Sequence, residues 1–163
     1  MMNDGTLWLS IQSFLGQEAH YLDTRQWDEW LALYDAAAEF WVPAWLEDET
    51  TTSDPKREVS LIYCDRQGLG ERVFRVREGR SAASIPFPRT CHFTNLLSVM
   101  EIGTEVHAHT SWSVNSYNAG RTVNYYGSAH YKLIQADSRF RIRSKKAILV
   151  NDVTDTLMDF YSI

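Results

Sequence analysis

The sequence is poor in the residues that most often announce chemistry. Its two cysteines, Cys64 and Cys91, form no spaced pair. A disulfide framework and a CxxC motif are therefore excluded, and both read as free thiols of a reducing cytoplasm. No apolar run approaches the ~20 residues needed to span a bilayer. The start of the chain has neither the basic residues nor the apolar stretch of a secretory leader, so no membrane association is expected. Formal net charge is −5, with Lys and Arg spread thinly. The one basic cluster, Arg139, Arg141, Arg143, Lys145 and Lys146, alternates along a predicted strand. It reads as a solvent or interface face rather than a phosphate track, so nucleic acid is not an expected partner. Gly-rich phosphate loops, GxSxG elbows, internal repeats and linkers are absent too, which favours one domain over residues 1–163.

What is present is an apolar content of 44%, with 13% aromatic residues, enough to bury a core. The chain changes character at SIPFPRTCHFTN, residues 84–95. Pro86 and Pro88 exclude helix interior and sheet ladder there, so the chain must leave its helices extended. Before this corner, Leu7, Ile11, Phe14 and Leu15 follow helical spacing behind a cap among residues 3–6. Trp27, Trp30, Leu31 and Tyr34 predict a second helix capped by Asp23 or Thr24, with the aromatic stripe as core. Phe40 to Val42 predict a short strand ended by Pro43, and residues 47–57 a mobile polar loop. A third helix is expected over residues 65–78, with Leu69, Val73, Phe74 and Val76 inward and Gly79 as C-cap.

After the corner, apolar and polar residues alternate with period two. Strands are expected over 89–101, 105–117, 122–135 and 140–150, separated by Gly103, by Asn118 to Gly120 and by Ala136 to Ser138. Helices followed by a long meander imply an α+β layer pair, a curved antiparallel sheet covered by the N-terminal helices in a cone.

Three residue groups invite chemical readings. His107 and His109 lie two apart on a strand and share a face, a spacing that suits two ligands of one metal if His130 or Glu105 supplied a third. Otherwise they are polar residues of an exposed or interface face. His92 follows Cys91, but neighbours on a strand point to opposite faces, which argues against a thiolate–imidazole pair. A cone also offers a pocket for acid–base chemistry, with Tyr34, Asp35, Glu39, Tyr63 and His92 as candidate lining, unless Trp, Phe and Tyr simply fill it.

Several segments together carry a family likeness: EAHYLDTRQWDEWLALY (18–34), FWVPAW (40–45), EVSLIYCDRQGLGERVFRV (58–76), RTCHFTN (89–95), YYGSAHYKL (125–133) and KKAILVND (145–152). In their order and spacing the chain resembles the small, or β, subunit of aromatic-ring-hydroxylating dioxygenases of the benzoate type, with anthranilate and halobenzoate relatives nearby. The resemblance implies a cystatin-like cone of the nuclear-transport-factor-2 kind. It implies a large α partner carrying a 2Fe–2S Rieske cluster and a mononuclear iron, an α3β3 assembly with β–β contacts, and NADH as electron source through a separate reductase. It transfers no catalytic, cofactor-binding or metal-binding residue to this chain, whose two cysteines supply neither half of a C-x-H and C-x-x-H pattern. Trp41 and Trp45 around Pro43, Arg89, and Phe160, Tyr161 and Ile163 are the candidate subunit contacts, with intrachain packing as the alternative for each. Two rival readings remain: a stand-alone dehydratase or isomerase using Asp35 and His92 as acid–base pair, and a small-ligand binder.

Overall fold

The computed structural model describes residues 4–47, 49–153 and 157–163. Helix α1 (Asp4–Asp23) buries Leu7, Ile11, Phe14, Leu15, Glu18 and Leu22 along one stripe. The stripe follows the expected spacing; of the cap expected among residues 3–6, Asn3 lies outside the described residues and 4–6 are already within the helix. Asp23 and Thr24 do not cap a second helix. They end the first, where the N–H of Gln26 reaches Tyr21 O (2.8 Å) and Arg25 adopts φ 59°, closing the helix by the motif usually built on glycine. Helix α2 (Trp27–Ala32) has no side-chain cap.

Strand β1 (Tyr34–Pro43) is far longer than the three residues expected. The run 35–39, DAAAE, has helical propensity but continues β1 across a register break bounded by the pairs that Tyr34 and Glu39 make with the chain's last strand, so tertiary pairing at its ends overrides local preference. Residues 47–57 are not the structureless loop expected. Strands β2 (Trp45–Leu46) and β3 (Thr50–Thr51) pair, Thr52 is buried, and the Glu58 carboxylate accepts from Ser53 N and Asp54 N, each at 2.6 Å. Strand β4 (Ser60–Asp65) leads into α3 (Arg66–Arg77), which Asp65 caps by accepting from Gly68 N at 2.8 Å. Gly68 is required there, because an added Cβ would stand 2.7 Å from Cys64 Cβ. Gly79 ends the helix at φ 63°. Leu69, Val73 and Val76 face inward, whereas Phe74, one residue past the stripe, is 55% exposed rather than inward.

Strands β5 (Arg89–Ile102), β6 (Glu105–Asn118), β7 (Arg121–Ala136) and β8 (Arg139–Leu149) match the expected meander. They join β1 and β4 in a six-stranded sheet of order β4-β1-β8-β7-β6-β5. Every neighbouring pair is antiparallel except β1 with β8, so the expected antiparallel sheet carries one parallel seam. One face is buried beneath the helices through Val106, Ala108, Thr110, Trp112 and Val114 on β6. This is the expected α+β, cystatin-like cone.

A bulge decides what the cone contains. Lys132 pairs with Ser144 and Leu133 with Ile142, leaving Arg143 as an extra residue on β8. Since side chains alternate with period two, one inserted residue reverses the phase. Lys145, Ala147 and Leu149 turn inward after it, and Ser144 and Lys146 do not. Lys145, expected on an outer basic face, is thereby a core residue, 4% exposed.

Candidate functional site

The cone interior gathers four polar side chains that no single segment of sequence brings together. Glu18 of α1 accepts from Tyr34 Oη (3.0 Å) and Lys145 Nζ (3.0 Å) on one oxygen and from Tyr131 Oη (2.9 Å) on the other. Lys145 also donates to Ile163 O at 3.4 Å and lies near the rings of Phe40 and Tyr131. Burial, reinforced by the Glu18 charge, pushes both tyrosine hydroxyls well above their ordinary ionisation range, which keeps them donors. The network holds α1 against β1, β7 and β8.

Beside it stands an aspartate–histidine pair. His92 Nδ1 lies 2.5 Å from Asp23 Oδ1, His92 N donates to Asp23 Oδ2 (2.9 Å), and Thr90 Oγ1 donates to Asp23 Oδ1 (2.9 Å). Burial alone would raise the Asp23 carboxyl, but the hydrogen bonds from His92 and Thr90 bring it below its usual value. Asp23 is therefore the carboxylate and His92 Nδ1 the donor. The opposite ring nitrogen, Nε2, is buried with no hydrogen-bond partner among the described residues. His92 lines both a small cavity of about 10 Å³, shared with Glu18, Tyr131 and Lys145, and, with Asp23, an open cleft of about 790 Å³.

The five residues expected to line one pocket stand in four places. Tyr34 belongs to the Glu18 network. Asp35 pairs at 3.2 Å with Arg143, the bulged residue. Glu39 accepts from Tyr63 Oη (2.9 Å) at an exposed position. His92 pairs with Asp23, not with Asp35. The proposed Asp35–His92 acid–base pair is not formed. Sequence spacing gave no signal for this role of Asp23, which reads as a candidate N-cap of the second helix and meets β5 only in three dimensions.

The candidate contact residues also divide. Phe160, Tyr161 and Ile163 are 0%, 1% and 3% exposed within this chain. Phe160 stacks on Trp30 with ring centroids 4.7 Å apart, and Tyr161 packs on Phe87 at 4.9 Å. They are this subunit's own core and offer no surface to a partner. Trp41 lies on the outer sheet face, donates Nε1–H to Ser60 Oγ (2.9 Å), and carries the Lys146 ammonium 4.4 Å above its ring. Trp45 is half-buried and donates to Leu149 O (2.6 Å). Arg89 is exposed and stacks over Tyr117.

Also on the outer face, His107, His109 and His130 converge from β6 and β7. His130 Nε2 lies 3.2 Å from His107 Nδ1, the His109 and His130 rings stack at 4.3 Å, and His107 Nε2 lies 3.2 Å from Glu105 Oε2. Among the described residues no group of three or more His, Cys, Asp and Glu side chains is disposed to hold a metal ion. The cluster thus satisfies itself by hydrogen bonds and stacking. Burial, then the neighbouring His109 and His107 and the lysines Lys132 and Lys146, holds His130 down to about 4.

A Rieske cluster takes two thiolates and two imidazoles. Cys64 lies on β4 and Cys91 on β5, the two opposite edges of the sheet. Five interstrand spacings separate those edges by about 24 Å, so the donors of this chain do not fit such a cluster. Among the described residues no helix is long and apolar enough to cross a membrane.

Comparison with known proteins gives this architecture a family. The family model described as ring hydroxylating beta subunit matches residues 17–156. The 2-halobenzoate 1,2-dioxygenase small subunit of Burkholderia cepacia is 39% identical over 158 residues, covering 96% of each chain. The crystal structure of the benzoate 1,2-dioxygenase beta subunit of Burkholderia mallei superposes with a TM-score of 0.75 at 36% identity, covering 94% of this chain and 95% of that one. A naphthalene 1,2-dioxygenase chain shares the fold, with a TM-score of 0.79 at 16% identity over 95% of this chain and 84% of that one. With a cone closed around its own buried ion pair and a family match across most of its length, this chain belongs to the ring-hydroxylating dioxygenase beta subunits.

Proposed function

We propose that residues 1–163 form one domain that serves as the non-catalytic small subunit of a cytoplasmic terminal oxygenase acting on a benzoate-like aromatic acid. The reaction class is cis-dihydroxylation, in which both atoms of O₂ enter the ring. The Rieske cluster and mononuclear iron belong to an α partner in an α3β3 assembly, and NADH supplies electrons through a separate reductase. The observation that carries this reading is the placement of Cys64 and Cys91 on opposite edges of the sheet in a chain of this family. The chain's own contribution is a rigid cone whose outer face, with Trp41 and Arg89 as anchors and Trp45 beside it, supports the partner. The test is expression with and without a Rieske-type α chain. Alone, the protein is expected to be colourless, iron-free and inactive on benzoate; together, the two are expected to form a larger brown complex. A monomeric, iron-free product from the co-expression would overturn the proposal.

A second reading, an acid–base enzyme, draws support from the Asp23–His92 pair. Asp23 and His92 line an open cleft of about 790 Å³, but the ring nitrogen free of Asp23 is buried rather than presented to it. Turnover by the isolated chain that disappears in His92→Ala would favour it.

A further inference from the structure

The interior polar groups do not close their hydrogen bonds without a further partner. In the tautomer that donates Nδ1–H to the Asp23 carboxylate, His92 Nε2 is a lone-pair acceptor. The His92 side chain is only 5% exposed, and Nε2 has no partner among the described residues. An unmet acceptor at that depth is unfavourable by about 1–3 kcal/mol. Thr94, on the same face of β5, and Tyr131, Glu18 and Lys145 line the small cavity that His92 also lines. Of the three ammonium protons of Lys145, one goes to Glu18 Oε1 and one to Ile163 O, leaving a third. An acceptor without a donor thus borders the same small space as a donor without an acceptor.

The cavity measures about 10 Å³, and a space of ~10–15 Å³ with two to four polar partners holds one water. A cation is disfavoured by the Lys145 ammonium and an anion by the Glu18 carboxylate, both of which line the space. The ligand has to be neutral, no larger than one heavy atom, and able to accept and donate at once. We propose that the cone binds a single structural water that accepts from Lys145 Nζ and donates to His92 Nε2, its second hydrogen going to Thr94 Oγ1. The water joins the Asp23–His92 pair to the Glu18–Lys145 pair, making one hydrogen-bonded chain from the end of α1 through β5 to β8. It also fixes His92 in the Nδ1–H tautomer. The site stands on this chain's own geometry and is independent of the subunit assignment.

Water–protein cross-relaxation on the full chain tests it, with ¹⁵N-resolved imidazole spectra as a second readout. A long-lived water peak to the His92 ring hydrogen is expected, with the Nε2 nitrogen resonating as a hydrogen-bonded acceptor. His92→Phe and Thr94→Ile, which fill the cavity from neighbouring positions on one face of β5, should each abolish the peak, and His20→Phe should leave it. If His92→Phe fails to fold, Thr94→Ile alone decides. No water peak in the folded parent protein, or a peak that survives Thr94→Ile, would overturn the proposal, as would a crystal structure with Nε2 bonded directly to a side chain.

Discussion

Glu18 and Lys145, 127 residues apart in sequence, form an ion pair of 3.0 Å in which the side chains are only 4% and 5% exposed. Two buried tyrosine hydroxyls complete the carboxylate's bonds. Removing one charge strands the other in the core, and such losses run to about 3–5 kcal/mol. Lys145→Met is expected to destabilise the protein by that amount in urea denaturation. Glu18→Gln with Lys145→Met should recover part of the loss, because no charge remains buried and the amide still accepts from a tyrosine. Additive losses would show that the two side chains do not act as a pair.

Two glycine replacements should have opposite signs. At Gly127 an added Cβ would lie 1.8 Å from Ile148 O, a backbone atom of the paired strand. The strands must separate to admit it, so Gly127→Ala is expected to lower stability by at least the ~1–3 kcal/mol of an overpacked core. At Gly16, inside α1, nothing lies within 4 Å, and Gly16→Ala should raise stability by about 0.5–1 kcal/mol. Denaturant midpoints at constant slope measure both.

The outer histidine cluster sets a pH response. His130 is held down to about 4 in the folded chain, below an unfolded value of about 6.5. The unfolded state therefore binds the proton more readily, and stability present above ~6.5 is lost as pH falls from there toward 4. Glu105 is the acidic group facing the cluster through His107, and Lys132 and Lys146 flank it. His130→Gln removes the titration, so unfolding midpoints at pH 7 and pH 5 should differ less than in the parent. An unchanged difference would place the acid sensitivity elsewhere.

Subunit assembly should separate surface from core. Trp41→Glu, on the outer face, is expected to weaken association with an α partner while the isolated chain keeps most of its thermal stability. Phe160→Asp should instead prevent folding, since that ring is fully buried against Trp30 and Trp27. Size-exclusion chromatography with and without partner, beside thermal melts, distinguishes the two outcomes.

The meander was legible because its signal is local. Alternation from Arg89 to Leu149 and turn residues at Gly103 and Asn118 to Gly120 give β5 to β8 to within one or two residues. The interior was not legible, because its determinants are long-range. One extra residue at Arg143 sends Lys145 inward, and alternation read from sequence carries no mark of the insertion. Asp23 finds His92 across 69 residues, and DAAAE is drawn into β1 by the β8 pairs at Tyr34 and Glu39 on either side of a register break. Phe160 to Ile163 look like an exposed apolar tail until they fold onto Trp27 and Trp30.

The parallel seam between β1 and β8 has a consequence for biosynthesis. A strand made among the first quarter of the polypeptide receives its inner neighbour only from residues 139–149. On the ribosome, β1 emerges with one of its two edges unanswered, and such late, distant pairing slows folding and exposes sticky intermediates. The nascent chain therefore stays vulnerable to misassembly until translation is almost finished, whatever the speed of its local helices.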